Sequence, residues 1–214
     1  MGRPERIDCV LFDFDGTLAD TEPAGVEIDI RVMAEVYGIH PSLEELHTMV
    51  GTDGEDTIPP IFAARGIEMT ADEYWEVRGG NSAVYRELPL ELYEGAREVL
   101  EGLAARGVRL GLVSTTNRGD IEAVLARLGI RSFFEQSVCG DEAPKFKPSP
   151  APYLLALELM GADPARTVVV EDSPTGIRSA KAAGLYTVAF AGSVIDQDRS
   201  EADELISSYA EWSI

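Results

Sequence analysis

Val10-Leu11-Phe12-Asp13-Phe14-Asp15-Gly16-Thr17-Leu18 is an apolar run that ends abruptly in two carboxylates and a glycine, and its reading decides the fold of this chain. A run of this length near a chain start reads as a fully buried strand, and buried strands of parallel sheets present their chemistry at their carboxyl ends. Asp13 and Asp15 stand at that end. Residues two apart on a strand point to the same side, so both carboxylates can converge on one small volume before Gly16 lets the backbone turn away. Two carboxylates held together want a cation or a proton, and the segment therefore predicts a metal-dependent site. A calcium loop also opens D-x-D but needs glycine at its sixth position and glutamate at its twelfth. Here the glycine is fourth and the twelfth residue is Ala24. Taken alone, the run could also be a plain acidic turn after a strand.

The composition narrows the class. A chain of 214 residues fits one large domain or a domain with an insertion, and 45% hydrophobic residues allow a sizeable core. The longest apolar runs fall short of the ~20 residues that a membrane span needs, and no apolar signal core follows Met1-Gly2-Arg3-Pro4-Glu5-Arg6. Arg6 stands where a myristoylation signal would carry Ser or Thr. The expectation is a cytoplasmic monomer with no membrane partner. Cys9 and Cys139, the only cysteines, each fall in a segment that reads as a buried strand, so they read as small core residues rather than a disulfide, metal pair or nucleophile. Eighteen Lys and Arg against 38 Asp and Glu give a net charge of −20, which argues against nucleic acid as a partner. An anionic substrate would need a metal ion and a few placed cations to overcome that field. Only three lysines are present, and Lys145 and Lys147 lie within one tripeptide.

Outward from the first strand, Ile7 to Phe14, the stretch from Pro23 to Leu88 reads as helical throughout. It carries two capping boxes, Ser42 with Glu45 and Thr70 with Glu73, and Pro59-Pro60 marks a helix start or kink. Beyond Gly95 the pattern changes to alternation. Helix Ala96 to Ala105, strand Val108 to Val113, helix Asp120 to Leu128 and strand Gln136 to Cys139 follow one another. Helix Pro152 to Met160, strand Thr167 to Val170, helix Ile177 to Ala183 and strand Tyr186 to Phe190 complete the series. Short-turned alternation of this kind predicts an α/β fold, a doubly wound parallel-sheet (Rossmann-like) core, with an all-helical insertion after its first strand. Residues 1–20 and 90–214 would form the core and 21–89 the insertion.

Each core strand ends in polar groups: Asp13 and Asp15, then Ser114-Thr115-Thr116-Asn117, then Glu171-Asp172-Ser173. Lys147-Pro148 precedes a helix. Singly these read as strand-end hydroxyls, caps, turns or a solvated lysine. A parallel sheet, however, brings its strand ends to one edge, where they become neighbours. The order D-x-D-G-T, hydrophobic-Ser, Lys-Pro, E-D-S resembles the haloacid dehalogenase superfamily of phosphotransferases, across nearly the whole chain. Ser173-Pro174-Thr175-Gly176-Ile177 with Ala180, Ala183 and Gly184 resembles the branch containing phosphoglycolate phosphatase and β-phosphoglucomutase, in which the insertion is a helical cap.

The resemblance implies a Mg²⁺-dependent phosphatase acting on a small phosphorylated metabolite. Asp13 would be the nucleophile that forms an aspartyl phosphate, and Asp15 the acid and base. Asp13, the Asp15 backbone carbonyl and Asp172 would hold Mg²⁺, with Glu171 as a further or water-mediated ligand. Lys147, preferred over Lys145 because it directly precedes Pro148, would neutralise Asp13 and a phosphate oxygen. Ser114 would hold phosphoryl oxygens, and Thr115, Thr116 and Asn117 are placed for substrate contacts. The second aspartate argues against dehalogenation. The rival within the family is a sugar-phosphate mutase, but mutases of the β-phosphoglucose type carry a cap histidine and arginine where this chain has Gly25 and Gly54. His40 and His47 read as bystanders; Arg65, Arg78 and Arg86 could face the cleft and read an anionic substrate, but on amphipathic cap helices each is expected on a solvated face. A rival of another class, a catalytically silent binding module on this fold, would be expected to have lost a nucleophile or metal ligand, and none is lost here.

Overall fold

The structure, a computed structural model, describes residues 2–49, 54–79, 82–193 and 197–212. Strand β1 (Cys9–Phe12) has no exposed residue and is followed, among the described residues, by the helices α1 (Glu22–Tyr37), α2 (Leu43–His47), α3 (Ile58–Ala63), α4 (Ala71–Arg78) and α5 (Ser82–Arg86). Then come α6 (Ala96–Ala105), β2 (Arg109–Val113), α7 (Arg118–Arg127), β3 (Phe134–Val138), α8 (Ala151–Met160), β4 (Thr167–Glu171), α9 (Pro174–Ala182), β5 (Tyr186–Phe190) and β6 (Glu204–Ile206). The residues group into two compact units, Met1–Asp20 with Leu90–Ile214, and Thr21–Pro89.

The first unit is a six-stranded parallel sheet in the order β3-β2-β1-β4-β5-β6. β1 lies inside it, with Phe12 opposite Leu112 on one side and Val170 on the other, so β1, β2 and β4 end at one edge. Alternate residues of β1 feed different faces. Cys9 and Leu11 pack with Val113, Val138, Val169, Tyr153 and Met160, placing α8 over that face. β1 is shorter than the expected Ile7 to Phe14 because the Phe14 carbonyl already accepts from Leu18 N (2.9 Å), which turns the chain out of the sheet. The segments flanking the insertion pair with each other, Tyr93 N donating to Leu18 O at 3.0 Å and Ala19 bridging Leu92. β6 was not expected; its three residues include Leu205, which is exposed on the sheet's edge.

The second unit buries Val26, Met33, Leu46, Ile58, Phe62 and Tyr74 in its own core. Both capping boxes form: Ser42 N donates to Glu45 Oε2 at 2.7 Å and Thr70 N to Glu73 Oε2 at 2.9 Å. Pro59-Pro60 open α3, as proline's missing N–H allows in a first turn. Arg78 is not on a solvated face. Its side chain is buried, its Nε donates to Asp29 Oδ1 at 2.5 Å, and the Tyr74 hydroxyl donates to the same oxygen at 2.7 Å. Arg65 is likewise engaged, with both Glu45 oxygens.

Candidate active site

The carboxyl edge of the sheet gathers the strand-end groups, all within the first unit. Lys147 reaches it from the loop between β3 and α8, which Ser179 Oγ anchors by donating to Ser149 O at 2.6 Å. Its ammonium spends its three hydrogens on Asp13 Oδ1 (2.6 Å), Glu171 Oε1 (2.5 Å) and the Val113 carbonyl (2.9 Å). Lys145, by contrast, is exposed.

Glu171 closes β4 with no exposure. Oε1 accepts from Lys147 and from the Tyr153 hydroxyl at 2.9 Å, while Oε2 accepts from Asp172 N, Ser173 N and Ser173 Oγ at 3.2, 3.3 and 3.2 Å. Gly176 makes room for this carboxylate, because a Cβ there would collide with Oε1. Asp172 is held by Thr17 Oγ1 at 3.2 Å, and Arg199 Nε donates to its backbone carbonyl at 2.9 Å.

The Asp15 carboxylate has partners other than those of Asp13. Thr116 Oγ1 donates to its Oδ2 at 3.0 Å, and Ser114 Oγ stands 3.5 Å away while accepting from Thr116 N at 3.0 Å. The two carboxylates thus have different hydrogen-bond partners, Lys147 for Asp13 and Thr116 for Asp15, while the Asp15 charge still acts on Asp13. Thr115 is exposed. The Asn117 side chain is committed to capping α7, accepting from Asp120 N at 3.0 Å and donating to Asp120 Oδ2 at 2.7 Å. Tyr153 was missed as a site residue because it reads as core within an aliphatic helix; the available signal was that a buried tyrosine hydroxyl needs a partner.

One carboxylate oxygen each from Asp13, Glu171 and Asp172 lie within 4.8 Å of one another, and all three residues are buried. Burial raises Asp13 well above the usual carboxylate range; Lys147 opposes this, and the Glu171, Asp172 and Asp15 charges add to it. Burial, reinforced by Glu171, pushes Asp172 up to about 7. Burial works against the Lys147 charge too, but the Asp13 and Glu171 carboxylates outweigh it and hold the ammonium well above its ordinary range. When ionised, the three buried carboxylates outnumber the one buried ammonium, with the Arg199 cation acting on Asp172 besides. A hard divalent cation matches both that surplus of negative charge and the all-oxygen donor set. Cys9 and Cys139 are buried and unpaired in any disulfide, and burial pushes both thiols up to about 11, which suits neither a nucleophile nor a thiolate ligand.

The family described as haloacid dehalogenase-like hydrolase matches residues 10–190. A phosphorylated carbohydrates phosphatase of Thermotoga maritima is 35% identical over 184 residues, covering 85% of this chain and 84% of its own length. A phosphoglycolate phosphatase of Rhodospirillum rubrum is 33% identical over 186 residues, covering 84% and 77%. Among solved structures, CbbY of Rhodobacter sphaeroides in complex with phosphate gives a TM-score of 0.75 at 28% identity, with 96% of each chain covered.

Proposed function

The chain belongs to the haloacid dehalogenase-like hydrolases and is a phosphoric monoester hydrolase; from that premise we propose that it hydrolyses a small phosphorylated metabolite through an aspartyl phosphate on Asp13, with Mg²⁺ as cofactor. The observation that carries this reading is the division of labour between the two aspartates: Asp13 beside Lys147 among the buried carboxylates, Asp15 on Ser114 and Thr116.

A carboxylate oxygen of Asp13 attacks phosphorus in line as the ester oxygen departs, which splits one hard displacement into two easier ones. Asp15 gives its proton to the departing oxygen. It then takes a proton from the water that attacks the acyl phosphate, releasing inorganic phosphate and restoring Asp13. Lys147 keeps Asp13 aligned and offsets charge on a phosphoryl oxygen, and the Ser114 hydroxyl holds another. Asp13, Asp172 and the Asp15 backbone carbonyl would hold Mg²⁺, with Glu171, whose oxygens already accept protein hydrogens, contributing charge or a water-mediated contact. When bound, the ion supplies the positive charge that lets an anionic nucleophile meet an anionic phosphate.

Hydrolysis is preferred over isomerisation. Gly25 and Gly54 supply neither a proton nor a charge, a Cβ at Gly54 would meet Ile58 Cδ1 and stand 3.0 Å from Trp75 Nε1, and Arg78 is already spent on Asp29. A phosphate-release panel of sugar phosphates, phosphoglycolate and pyrophosphate, run with Mg²⁺ and after chelation, tests the reading. Metal-dependent release from small monoesters is expected. Release undiminished by exhaustive chelation, or no release from any substrate, would overturn it.

A further inference from the structure

Tyr153 lies on α8, outside the strand-end motifs, yet its side chain is wholly buried against the two charged groups that organise the site. Its hydroxyl donates to Glu171 Oε1 at 2.9 Å, and its ring lies under Lys147, with Nζ 5.3 Å from the centroid. We propose that Tyr153 is a positioning residue: its hydroxyl fixes the Glu171 carboxylate and its ring face backs the Lys147 ammonium, so that the ammonium is held on Asp13.

The geometry is over-determined in a way that ordinary core packing does not require. Lys147 has three hydrogens and three acceptors, two of them the oxygens of Asp13 and Glu171. Oε1 of Glu171 is therefore shared between the ammonium and the tyrosine. Without the hydroxyl, Lys147 would be its only donor. The ammonium would then be drawn toward Glu171 and away from Asp13, because a carboxylate oxygen short of a donor in a buried site attracts the remaining one more strongly. The ring contributes by facing its negative π surface to the cation in a desolvated site.

The consequence for catalysis rests on the phosphatase reading, but the placement of the ammonium does not, and two measurements separate them. Tyr153→Phe keeps the ring and removes the hydroxyl. In the metal-free, substrate-free protein, the Lys147 ¹⁵Nζ–¹H₃ signal can be told from those of the other two of the chain's three lysines. It is expected to shift and to exchange faster with water in the variant. In turnover, Tyr153→Phe is expected to lower kcat about tenfold, the fold-change for one charge-assisted hydrogen bond, with KM little changed. Tyr153→Leu, lacking the ring as well, should lose more in both readouts. An unmoved Lys147 signal with unchanged kcat, even alongside a lowered melting temperature, would show that Tyr153 only fills space and would overturn the proposal. A moved signal in a protein whose wild type releases no phosphate would sustain the placement and sink the phosphatase reading instead.

Discussion

Replacing Gly176 by alanine sets two effects of opposite sign against each other. Gly176 lies in the first turn of α9, where helix propensity alone favours alanine by about 1 kcal/mol. The added Cβ, however, would fall on Oε1, Cδ and Oε2 of Glu171. The carboxylate must then move, and its bonds from Lys147, Tyr153 and Ser173 must stretch or break. Removing a partner from a buried charged pair costs about 3–5 kcal/mol. Subtracting the propensity gain leaves a net loss of about 2–4 kcal/mol. At roughly 2–4 °C per kcal/mol for a chain of this size, the melting temperature should fall by about 4–16 °C. Thermal unfolding followed by far-UV circular dichroism reads this, and turnover should fall with it because Lys147 loses its anchor. Shortening the partner should relieve the clash, so Glu171→Asp combined with Gly176→Ala should be less destabilised than the sum of the single changes. An alanine variant that melts at or above the wild-type temperature and turns over normally would refute this reasoning.

Asp15→Asn should lower turnover by about 10²- to 10⁴-fold, the usual worth of a positioned proton transfer, while Asp13→Asn abolishes it; substantial turnover by the Asp13 variant in a steady-state assay would remove Asp13 from its assigned role. Asp172 has a folded-state pKa raised to about 7, so in the metal-free protein it binds a proton that the unfolded chain has already released at lower pH. The sign is that this group costs the metal-free fold stability as pH rises toward about 7, and that protons compete with Mg²⁺ below it. The Mg²⁺-induced rise in melting temperature should therefore be larger above about pH 7 than below; equal rises would contradict the assignment. In the helical unit, Arg78→Met should destabilise by about 3–5 kcal/mol by leaving Asp29 buried without its cation, and a melting temperature within error of wild type would show the pair to be dispensable.

The sheet was legible because its interior strands are short, largely apolar runs, three of which, β1, β2 and β4, close on polar groups, a pattern that survives without any tertiary information. The meeting of Asp13, Ser114, Glu171 and Asp172 at one edge was legible for the same topological reason, whereas Lys147, in the loop between β3 and α8, was singled out by the Lys-Pro step of the family resemblance. What was not legible depends on pairings between distant positions. Arg78 reads as a solvated face because periodicity cannot see Asp29, 49 residues away, which lets its charge be buried. Asn117 reads as a substrate contact because it follows Ser114; the Asn-x-x-Asp spacing to Asp120 was the signal for a helix cap. β6 carries no apolar run and lies at the sheet's edge, where a three-residue strand leaves little imprint on composition. Tyr153 was hidden by its aliphatic neighbours on α8.

The covalent intermediate is the most direct test of Asp13 as nucleophile. A substrate carrying labelled phosphorus, identified from the panel, is mixed with excess enzyme and Mg²⁺ and quenched in acid within a single turnover, and the peptides are then mapped by mass spectrometry. Label is expected on the peptide containing Asp13 as an acyl phosphate that hydroxylamine releases, and none is expected in Asp13→Asn. Rapid turnover with no protein-bound label at any quench time, or label retained when Asp13 is replaced, would contradict an aspartyl-phosphate route through this residue.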